Sequence, residues 1–288
     1  MSECFKLSGK TPLIRISDRL YGKLETYNPS GSVKDRMICY VVERALERGE
    51  ISSSSILCDA TSGNTGIALS MVAASLGLKC VIFMPVNMSE ERKQMMRVYG
   101  AEIVDAPPDD FTKAIEMRND FLEKTQSAWS PNQFHNPENV QCHFNVTAPE
   151  ILSDINDLGI GWSAFVHGSG TGGTIEGVRR FLKQAGLLTK VVMVQPEESP
   201  HGIQGIADGK EFLALDKDMD EIIKISTKEA IDRSKQFAKE TGILIGISAG
   251  ANILASERWI QNNTAPGVVV TMLCDRGERY MSIYGEGA

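Results

Sequence analysis

The sequence has little that would bind zinc, cross a membrane or form disulfides. Its four histidines show no ligand spacing, and its six cysteines contain no CxxC pair. Most of the cysteines lie within apolar segments, as free buried thiols do in a reducing compartment. The opening residues MSECFKLSGK lack an apolar signal core, and no apolar run is long enough to span a bilayer. These absences predict a cytoplasmic chain without a bound metal.

An excess of positive charge is also missing. The 288 residues carry a formal net charge of −7, which disfavours nucleic acid and anionic membranes as partners. Hydrophobic residues at 42% and charged residues at 23% are typical of a globular protein, and this length suits two modest domains. The ligands of such a chain have to be inferred from its motifs.

What is present is a regular alternation of short apolar segments and helical patterns. The apolar segments are nearly continuous, as in parallel strands that are covered by helices on both faces. Seven strands are predicted, at 55–61, 79–85, 101–106, 163–168, 190–196, 243–248 and 267–275. Helices are predicted at 65–77, 89–100, 149–159, 174–186, 227–242 and 248–261. The alternation predicts a doubly wound α/β fold, in which ligands bind beyond the carboxyl ends of the strands.

The segment NPSGSVKDRMICYVVERALERG (28–49) places a lysine at the start of a predicted helix. Apolar residues recur at helical spacing from Met37 on, and Ser32 with Asp35 three positions later resembles a capping box. Lys34 would then lie in the first helical turn, at the positive end of the helix dipole. That position lowers the pKa of an amine and suits a nucleophile that forms a Schiff base. The alternative is a solvated surface lysine.

The segment DATSGNTGIALS (59–70) predicts an anion site where a strand runs into a helix. Backbone N–H groups, short hydroxyl groups and the helix dipole converge at such a point and can bind a carboxylate or a phosphate. A single serine or threonine would be enough for a simple N-cap. The six small or polar residues of TSGNTG are more than a cap requires, and they favour the anion site.

The segment HGSGTGGTIEG (167–177) contains a glycine pattern between a predicted strand and a predicted helix. Gly168, Gly170 and Gly173 satisfy GxGxxG, and Glu197 follows at the end of the next strand. This context fits a dinucleotide site, although such a site usually opens the first βαβ unit rather than the second half of a chain. The pattern fits a phosphate of any kind equally well. An NAD(P)-dependent dehydrogenase therefore remains an alternative.

A further polar strand end occurs in LCDRGERYMS (273–282), where Cys274 and Asp275 follow an apolar run. A thiol or carboxylate in this place could meet a ring nitrogen or a substrate, and the alternative is a capped strand end. Together, a lysine at a helix start, two anion-accepting helix starts and a polar strand end suggest a cofactor with a phosphate and a ring. Pyridoxal phosphate with an amino acid substrate fits this combination.

Five motifs in this order resemble the cysteine synthase (O-acetylserine sulfhydrylase) family, B-type-like, among the fold-type II pyridoxal-phosphate enzymes. They are KLETYNPSGSVKDR, ATSGNTGIALS, GTGGTIEGV, GISAGA and CDRGERYMS. The similarity extends over nearly the whole chain. It implies two doubly wound open-sheet domains of the tryptophan synthase β-like fold, with the cofactor in the cleft between them. The domains are expected at 1–139 and 140–288, with roughly the first 15 residues able to pack on the other domain.

The resemblance also implies a role for each motif residue. Lys34 would hold the cofactor as an internal aldimine and later move the α-proton of the substrate, and Asn64 would hydrogen-bond the ring hydroxyl of the cofactor. Residues implied to bind the substrate carboxylate are Thr61, Ser62, Gly63, Thr65 and Gln133. Residues implied to hold the cofactor phosphate are Gly170, Thr171, Gly172, Gly173 and Thr174. Near the pyridine nitrogen the family places Cys274 or Asp275, and both remain open.

The reaction implied by the resemblance is β-replacement, in which L-cysteine forms from O-acetyl-L-serine and sulfide through an α-aminoacrylate intermediate. Cysteine desulfhydration and the formation of cystathionine or lanthionine are alternatives within the same machinery. Phosphoserine or cysteine could also take the place of acetylserine as substrate. A homodimer is implied, with the C-terminus of a serine acetyltransferase as a possible partner.

Three departures from the family pattern bear on these expectations. VTAPE has Ala148 where the family has glycine, and the connection DRLYG is short enough that one N-terminal strand or its turn could be trimmed. The stretch GIQGIADGK (202–210) lacks the paired arginines of B-type enzymes and carries Asp208 instead. We treat Asp208 as a modulator that could activate water or repel anionic nucleophiles. The alternative is an exposed loop aspartate.

Overall fold

The structure is a computed structural model that describes residues 3–206 and 213–285. Its β-strands are, in chain order, Leu13–Arg15 (β1), Leu20–Leu24 (β2), Ile56–Ala60 (β3), Lys79–Pro85 (β4), Glu102–Ala106 (β5), Ala128–Trp129 (β6), Trp162–Gly168 (β7), Lys190–Pro196 (β8), Glu221–Ile225 (β9) and Val268–Leu273 (β10). Its α-helices are Glu3–Leu7 (α1), Lys34–Glu47 (α2), Asn64–Leu76 (α3), Glu90–Val98 (α4), Phe111–Lys124 (α5), Pro137–Cys142 (α6), Ala148–Asp157 (α7), Gly173–Gln184 (α8), Thr227–Thr241 (α9), Ile247–Asn262 (α10) and Met281–Gly285 (α11). A π-helix, His143–Thr147, joins α6 to α7.

The chain divides into two compact units, and each contains one sheet. The first unit consists of Met1–Gly9 and Asn28–Asn132, and the second of Lys10–Tyr27 and Gln133–Ala288. The first sheet has the strand order β5-β4-β3-β6, and the second has the order β1-β2-β10-β7-β8-β9. The alternation of strands and helices predicts a doubly wound α/β fold and the family resemblance implies two such sheets, and this fold class is confirmed.

Helices cover both faces of the first sheet, whose strands are all parallel. Because side chains alternate along a strand, neighbouring residues enter different cores. Leu57 and Ile82 pack in a core with α2, α3 and α4, whereas Cys58 and Phe83 pack against α5. This layering explains why β3 and β4 have nearly continuous apolar sequences.

The second sheet is layered in the same way, and its strands are parallel apart from the edge strand β1. Val166 and Val269 belong to a core formed with α9 and α10. On the other face, the fully buried Lys23 of β2 forms ion pairs with Glu150 and Asp154 of α7, at 2.8 and 2.6 Å. Two partners and burial in a helix–sheet interface fix α7 against this face of the sheet.

Two sequence-based expectations about strands are wrong. The short connection DRLYG leaves the N-terminal hairpin intact, because β1 and β2 pair in register from Leu13 opposite Lys23 to Arg15 opposite Tyr21. The apolar segment 243–248 is not a strand within the described residues. Its Ile245 makes an isolated bridge, and α10 already begins at Ile247. A short apolar run cannot distinguish a strand from the start of a fully buried helix.

Candidate active site

Lys34 is the first residue of α2 in the first unit, as the sequence predicts. Within residues 3–206 and 213–285, its amine has no ion-pair or hydrogen-bond partner. An amine that is half-buried and unpaired is available to react with a ligand.

The turn before Lys34 differs from the predicted capping box. The N-cap position is taken by Val33, so the cap predicted at Ser32 is wrong. The Ser32 hydroxyl instead accepts a hydrogen bond from the backbone N–H of Lys34 at 3.3 Å. The fully buried Asp35 carboxylate accepts hydrogen bonds from the backbone N–H of Ser30, at 2.5 Å, and from its hydroxyl. These bonds fix the backbone that carries the lysine.

The TSGNTG loop lies between β3 and α3, also in the first unit. Its N-cap residue is Gly63, which has no side chain with which to bind the first N–H groups of α3. Thr61, which is buried, accepts a weak hydrogen bond from the N–H of Gly63 at 3.4 Å. Ser62 and Asn64 are half-buried, and Thr65 is buried in the first helical turn. The loop therefore places hydroxyl groups beside a helix start that has no side-chain cap, where the helix dipole favours an anion.

The glycine-rich loop connects β7 to α8 in the second unit. Its N-cap residue, Gly172, has a φ of 86°, a conformation that favours glycine. A Cβ atom on Gly170 would lie 2.4 Å from the carbonyl oxygen of Gly205, and one on Gly173 would lie 2.0 Å from Oδ1 of Asn139. The glycines are thus required by close packing on the protein side of the loop, and the first N–H groups of α8 lack partners within the helix.

Hydroxyl groups of this loop are held by neighbours that the sequence did not single out. The Thr171 hydroxyl accepts a hydrogen bond from the side-chain amide of Asn139 at 3.0 Å. The Thr174 hydroxyl lies 3.2 Å from Nε2 of His143, in the π-helix. Ser169 is buried, and among the described residues its hydroxyl oxygen has no hydrogen-bond partner. A buried hydroxyl without a partner is costly unless a ligand binds it.

Asn139 also reaches a residue that the sequence assigns to substrate binding. Its side-chain amide donates a hydrogen bond at 2.9 Å to the backbone carbonyl of Gln133, which is buried in the second unit. Gln133 and Thr171 are therefore joined through one fully enclosed side chain. No periodic pattern surrounds Asn139 in the sequence, and only its place in NPENV, just after a predicted crossover, could have drawn attention to it.

Cys274 and Asp275 follow β10 but have different surroundings. The Cys274 thiol lies 3.5 Å from the side-chain nitrogen of Asn252, close to the point where β7 enters the glycine-rich loop. The Asp275 carboxylate is fully buried and accepts a hydrogen bond from the Tyr280 hydroxyl at 2.6 Å. It also lies at the start of α10, where a Cβ atom on Gly246 would be 2.0 Å from its Oδ1. The Cys274 thiol thus contacts Asn252, whereas the Asp275 carboxylate, at the start of α10, contacts Tyr280.

Two residues considered in the sequence lie away from these groups. Glu197, the acidic residue of the dinucleotide pattern, is exposed just after β8, and its backbone N–H donates to the carbonyl of Ile225 at 3.0 Å. Asp208, the proposed modulator, lies outside the described residues. Within the part of the chain that is described, no helix is long and apolar enough to cross a membrane, and no cluster of three or more His, Cys, Asp or Glu could hold a metal ion.

Comparison with known proteins identifies the family. The family described as pyridoxal-phosphate dependent enzyme matches residues 5–275. A cysteine synthase of Staphylococcus aureus (strain Mu50 / ATCC 700699) is 37% identical, over 96% of this chain and 94% of its own length. The crystal structure of O-ureido-L-serine synthase has a TM-score of 0.91 and 35% identity, over 99% of this chain and 95% of that chain. A hydrogen sulfide-producing enzyme from Fusobacterium nucleatum has a TM-score of 0.89 and 33% identity, over 96% of this chain and 97% of that chain. Since the family match and the similarity to solved structures both cover nearly the whole chain, this chain belongs to the pyridoxal-phosphate dependent enzymes.

Proposed function

We propose that this protein makes L-cysteine from O-acetyl-L-serine and sulfide by β-replacement on pyridoxal phosphate. The observation that carries the proposal is the unpaired amine of Lys34 at the start of α2, in the same unit as the glycine-capped start of α3. A reactive amine and an open carboxylate site are the two groups that an amino acid substrate requires. The similarity to a cysteine synthase over 96% of the chain supports the choice of reaction.

The residues present fit the cofactor. Its phosphate needs several donors at close range, and the glycine-rich loop offers the first N–H groups of α8 and the positive end of the helix dipole. The buried Ser169 hydroxyl, which has no partner among the described residues, supplies a further donor. Residues that would hold the phosphate are Gly170, Thr171, Gly172, Gly173 and Thr174. Lys34 would hold the cofactor covalently through Nζ, and Asn64 would bind its ring hydroxyl.

Of the two residues after β10, we assign Cys274 to the pyridine nitrogen. The Asp275 carboxylate is engaged by Tyr280 and lies at the start of α10, so it has a structural role of its own. The Cys274 thiol lies beside the strand end from which the glycine-rich loop departs. A thiol is a weak hydrogen-bond partner, which leaves the ring a moderate electron sink and favours loss of a group from Cβ.

The substrate carboxylate is proposed to bind at the start of α3. Thr61, Ser62, Gly63 and Thr65 lie at the start of α3, whose N-cap Gly63 contributes no side chain. Gln133 is proposed as a further ligand of the carboxylate from the family resemblance alone. The positive end of the α3 dipole favours a negative group there. Binding of the carboxylate in this loop would orient the bond from Cα to its proton toward a base.

When bound, pyridoxal phosphate withdraws electrons from the substrate Cα and so acidifies its proton. Lys34 is the chain's own base for this step, because its amine is without an ion-pair partner in the described part of the chain. Its Nζ takes the proton from Cα before the acetate leaves and returns it after sulfide has added at Cβ. Half-burial of the side chain keeps bulk water from competing for this proton.

Cysteine desulfhydration is a second candidate. The similarity to a hydrogen sulfide-producing enzyme from Fusobacterium nucleatum, over 96% of the chain, favours it specifically. The hypothesis that Asp208 tunes the balance is tested by the variant Asp208→Ala, through the ratio of sulfide release from cysteine to cysteine formation. An unchanged ratio would remove Asp208 from the proposal. The exposed position of Glu197 and the family match leave a nicotinamide dinucleotide without support.

The test of the proposed function is spectral. Purified protein with pyridoxal phosphate should show a visible absorption band that borohydride removes, O-acetylserine should replace it with a new band, and sulfide should restore it. Lys34→Ala should lack the first band and lose at least about 100-fold in cysteine formation, because base and covalent attachment disappear together. Lys79→Ala, at an exposed lysine of β4, is the matched control. A band that survives Lys34→Ala, or one that O-acetylserine leaves unchanged, contradicts the proposal.

We also propose a compartment, an oligomeric state and a partner for the enzyme. All six cysteines are free thiols, as in proteins of a reducing cytoplasm. A homodimer is proposed from the family resemblance and is tested by light scattering on the purified protein. Docking of a serine acetyltransferase C-terminus is proposed on the same ground, and titration with a peptide of that sequence tests it.

A further inference from the structure

Asn252, in the middle of α10, is fully buried and bonds to the ends of two strands of the second sheet. Its Oδ1 accepts a hydrogen bond from the backbone N–H of Gly168, the last residue of β7, at 2.8 Å. Its Nδ2 donates to the carbonyl of Met272 in β10 at 3.0 Å. The same nitrogen lies 3.5 Å from Sγ of Cys274 and 3.2 Å from Nδ1 of His167.

These contacts lie where the two parts of the proposed cofactor site begin. β7 and β10 are neighbouring parallel strands, so their carboxyl ends lie at the same edge of the sheet. The glycine-rich loop begins directly after Gly168, and Cys274 directly follows β10. The Asn252 side chain therefore hydrogen-bonds both to Gly168, just before the glycine-rich loop, and to Cys274, the proposed partner of the pyridine nitrogen.

A buried asparagine in a helix core is expensive unless its hydrogen bonds are made, and an apolar residue would suit the packing of α10 better. Its neighbours in the core of this helix include Ile253 and Ala255. The hydrogen bonds of Oδ1 to Gly168 and of Nδ2 to Met272 explain why a polar side chain occupies this position. Sγ of Cys274 accepts from the amide at 3.5 Å, and the thiol itself donates to the backbone carbonyl of Met272 at 3.6 Å, so the amide contact helps to hold the thiol in place.

We propose that Asn252 is a positioning residue, which sets the Cys274 thiol and the start of the glycine-rich loop at a fixed separation. This inference rests on the proposed function, in which Cys274 meets the ring and the loop binds the phosphate. The ring and the phosphate belong to one rigid cofactor, so the protein groups that bind its two ends must lie at a fixed distance from each other. A single side chain that is hydrogen-bonded to both strand ends fixes this distance.

Three variants separate positioning from packing. Asn252→Leu removes every polar contact of the side chain and keeps its branching and number of heavy atoms, whereas Asn252→Ala also leaves a cavity. Ser256→Ala is the matched control, because Ser256 lies one turn further along α10, is equally buried, and donates its hydrogen bond to the backbone carbonyl of Asn252 at 2.7 Å. The variants are compared as reconstituted holoenzymes by visible absorption, by the ³¹P NMR signal of the bound phosphate and by the cofactor dissociation constant.

Both Asn252 variants should raise the dissociation constant about tenfold, as loss of a supporting hydrogen bond does at other cofactor and metal sites. They should also shift the absorption band and the ³¹P signal, while Ser256→Ala keeps both at the wild-type positions. If Asn252→Leu keeps the wild-type band and signal, the side chain only packs and the inference is overturned. It is also overturned if Ser256→Ala moves both as far as the Asn252 variants do.

A measurement without cofactor distinguishes this inference from the proposed function. In the cofactor-free protein, the alkylation rate of Cys274 is followed by mass spectrometry of its peptide. Loss of the amide contact should free the thiol and raise its rate severalfold in Asn252→Leu and Asn252→Ala, but not in Ser256→Ala. An unchanged rate overturns the inference even if the wild-type protein binds the cofactor. Failure of the wild-type protein to bind pyridoxal phosphate contradicts the proposed function instead.

Discussion

Glycine at an N-cap leaves the first amides of a helix open, whereas serine, aspartate or asparagine occupies one of them. This chain uses both choices. Side chains of Ser89, Asp110, Asn136 and Ser226 cap α4, α5, α6 and α9. The two helices that follow the predicted anion loops begin after Gly63 and Gly172. Gly246 caps α10 in the same way, so a glycine N-cap is compatible with a ligand site but does not by itself identify one.

Gly173 provides a direct test of the packing on the protein side of the phosphate loop. In Gly173→Ala the new Cβ would lie 2.0 Å from Oδ1 of the buried Asn139, so the loop or Asn139 has to move. We expect a loss of about 1–3 kcal/mol in the free energy of unfolding, together with weaker binding of pyridoxal phosphate. Urea unfolding and a cofactor titration measure the two effects.

The matched control is Gly161→Ala. A Cβ atom there would lie 4.0 Å from its nearest neighbour, Cα of Gly267, which is an ordinary contact. It should therefore leave cofactor affinity unchanged. Equal effects of the two substitutions would show that the close approach at Gly173 has no special importance.

Asp59, at the end of β3, gives the stability of the chain a pH dependence. Its Oδ1 accepts hydrogen bonds from the N–H of Ala60 at 2.9 Å and from Arg118 and Ser130 at 3.3 Å each, while its buried Oδ2 has no partner among the described residues. Burial raises the pKa of Asp59 from an ordinary 3.8 to about 6, against the opposing effect of Arg118. Between these values the folded chain keeps a proton that the unfolded chain has released.

The free energy of unfolding should therefore fall as pH rises from about 3 to about 7, by about 3 kcal/mol in all for this group. Asp59→Asn cannot titrate, so the difference between wild type and variant should change by that amount over this interval and be level above it. Urea unfolding at a series of pH values measures the difference, with Asp18→Asn, at an exposed aspartate, as control. A difference that is constant from pH 4 to 7 would show that Asp59 titrates alike in both states.

At the scale of elements, apolar patterning predicts most of the strands, but it misses the mostly buried β2 and the edge strands β1, β6 and β9. Six of the seven apolar segments correspond to strands β3, β4, β5, β7, β8 and β10. The edge strand β9 is missed because only Ile225 of its five residues is buried, so its sequence EIIKI reads as neither a core strand nor a clean alternation. An apolar sequence indicates a buried strand, and most residues of the edge strand β9 are exposed or half-buried.

The polar segment 127–150 illustrates a different limit. The sequence predicts no strand or helix between residues 127 and 148, but this stretch contains α6 and the π-helix His143–Thr147. The wider turn of a π-helix breaks the helical period, and Asn and Pro suggest loops although here they start α6. His143 and Asn139, which contact the phosphate loop, lie in this segment and were missed for the same reason.

Helix α9 allows a test of capping at one element. Ser226 accepts a hydrogen bond from the N–H of Glu229, and the Glu229 carboxylate bonds back to the N–H of Ser226 at 3.1 Å. Ser226→Ala should lower the free energy of unfolding by about 1 kcal/mol, because the N–H of Glu229 loses its acceptor and the Glu229 carboxylate loses the hydroxyl that donates to it. Ser226→Thr, which keeps a hydroxyl, should lose less than half of that in urea unfolding. Equal losses in the two variants would argue that the capping box contributes nothing.

At the scale of the whole molecule, the composition of the two units depends on contacts that no local pattern records. Residues 10–27 belong to the second unit although the first unit follows them in the chain. The reason is the pairing of β2 with β10, in which Leu20 lies opposite Val269. Likewise Asn252 hydrogen-bonds both to Gly168, just before the glycine-rich loop, and to Cys274, although its position in ISAGANILA gives no hint of either partner. Motifs predict the chemistry, and long-range pairing decides which motifs meet.

Binding of pyridoxal phosphate should stabilise the chain as a whole, because a ligand that binds only the folded state adds its binding free energy to folding. At a cofactor concentration of about 100 times the dissociation constant, the free energy of unfolding should rise by about 2.7 kcal/mol. This should raise the thermal midpoint above that of the cofactor-free protein by roughly 5 °C. Pyridoxal, which has the same ring and aldehyde without the phosphate, isolates the part played by the start of α8. It can still react with Lys34 but offers no anion to the helix N–H groups, so at the same concentration its effect should be much smaller. If pyridoxal raises the midpoint as far as pyridoxal phosphate does, the glycine-rich loop is not the phosphate site, and the closely packed glycines serve the fold alone.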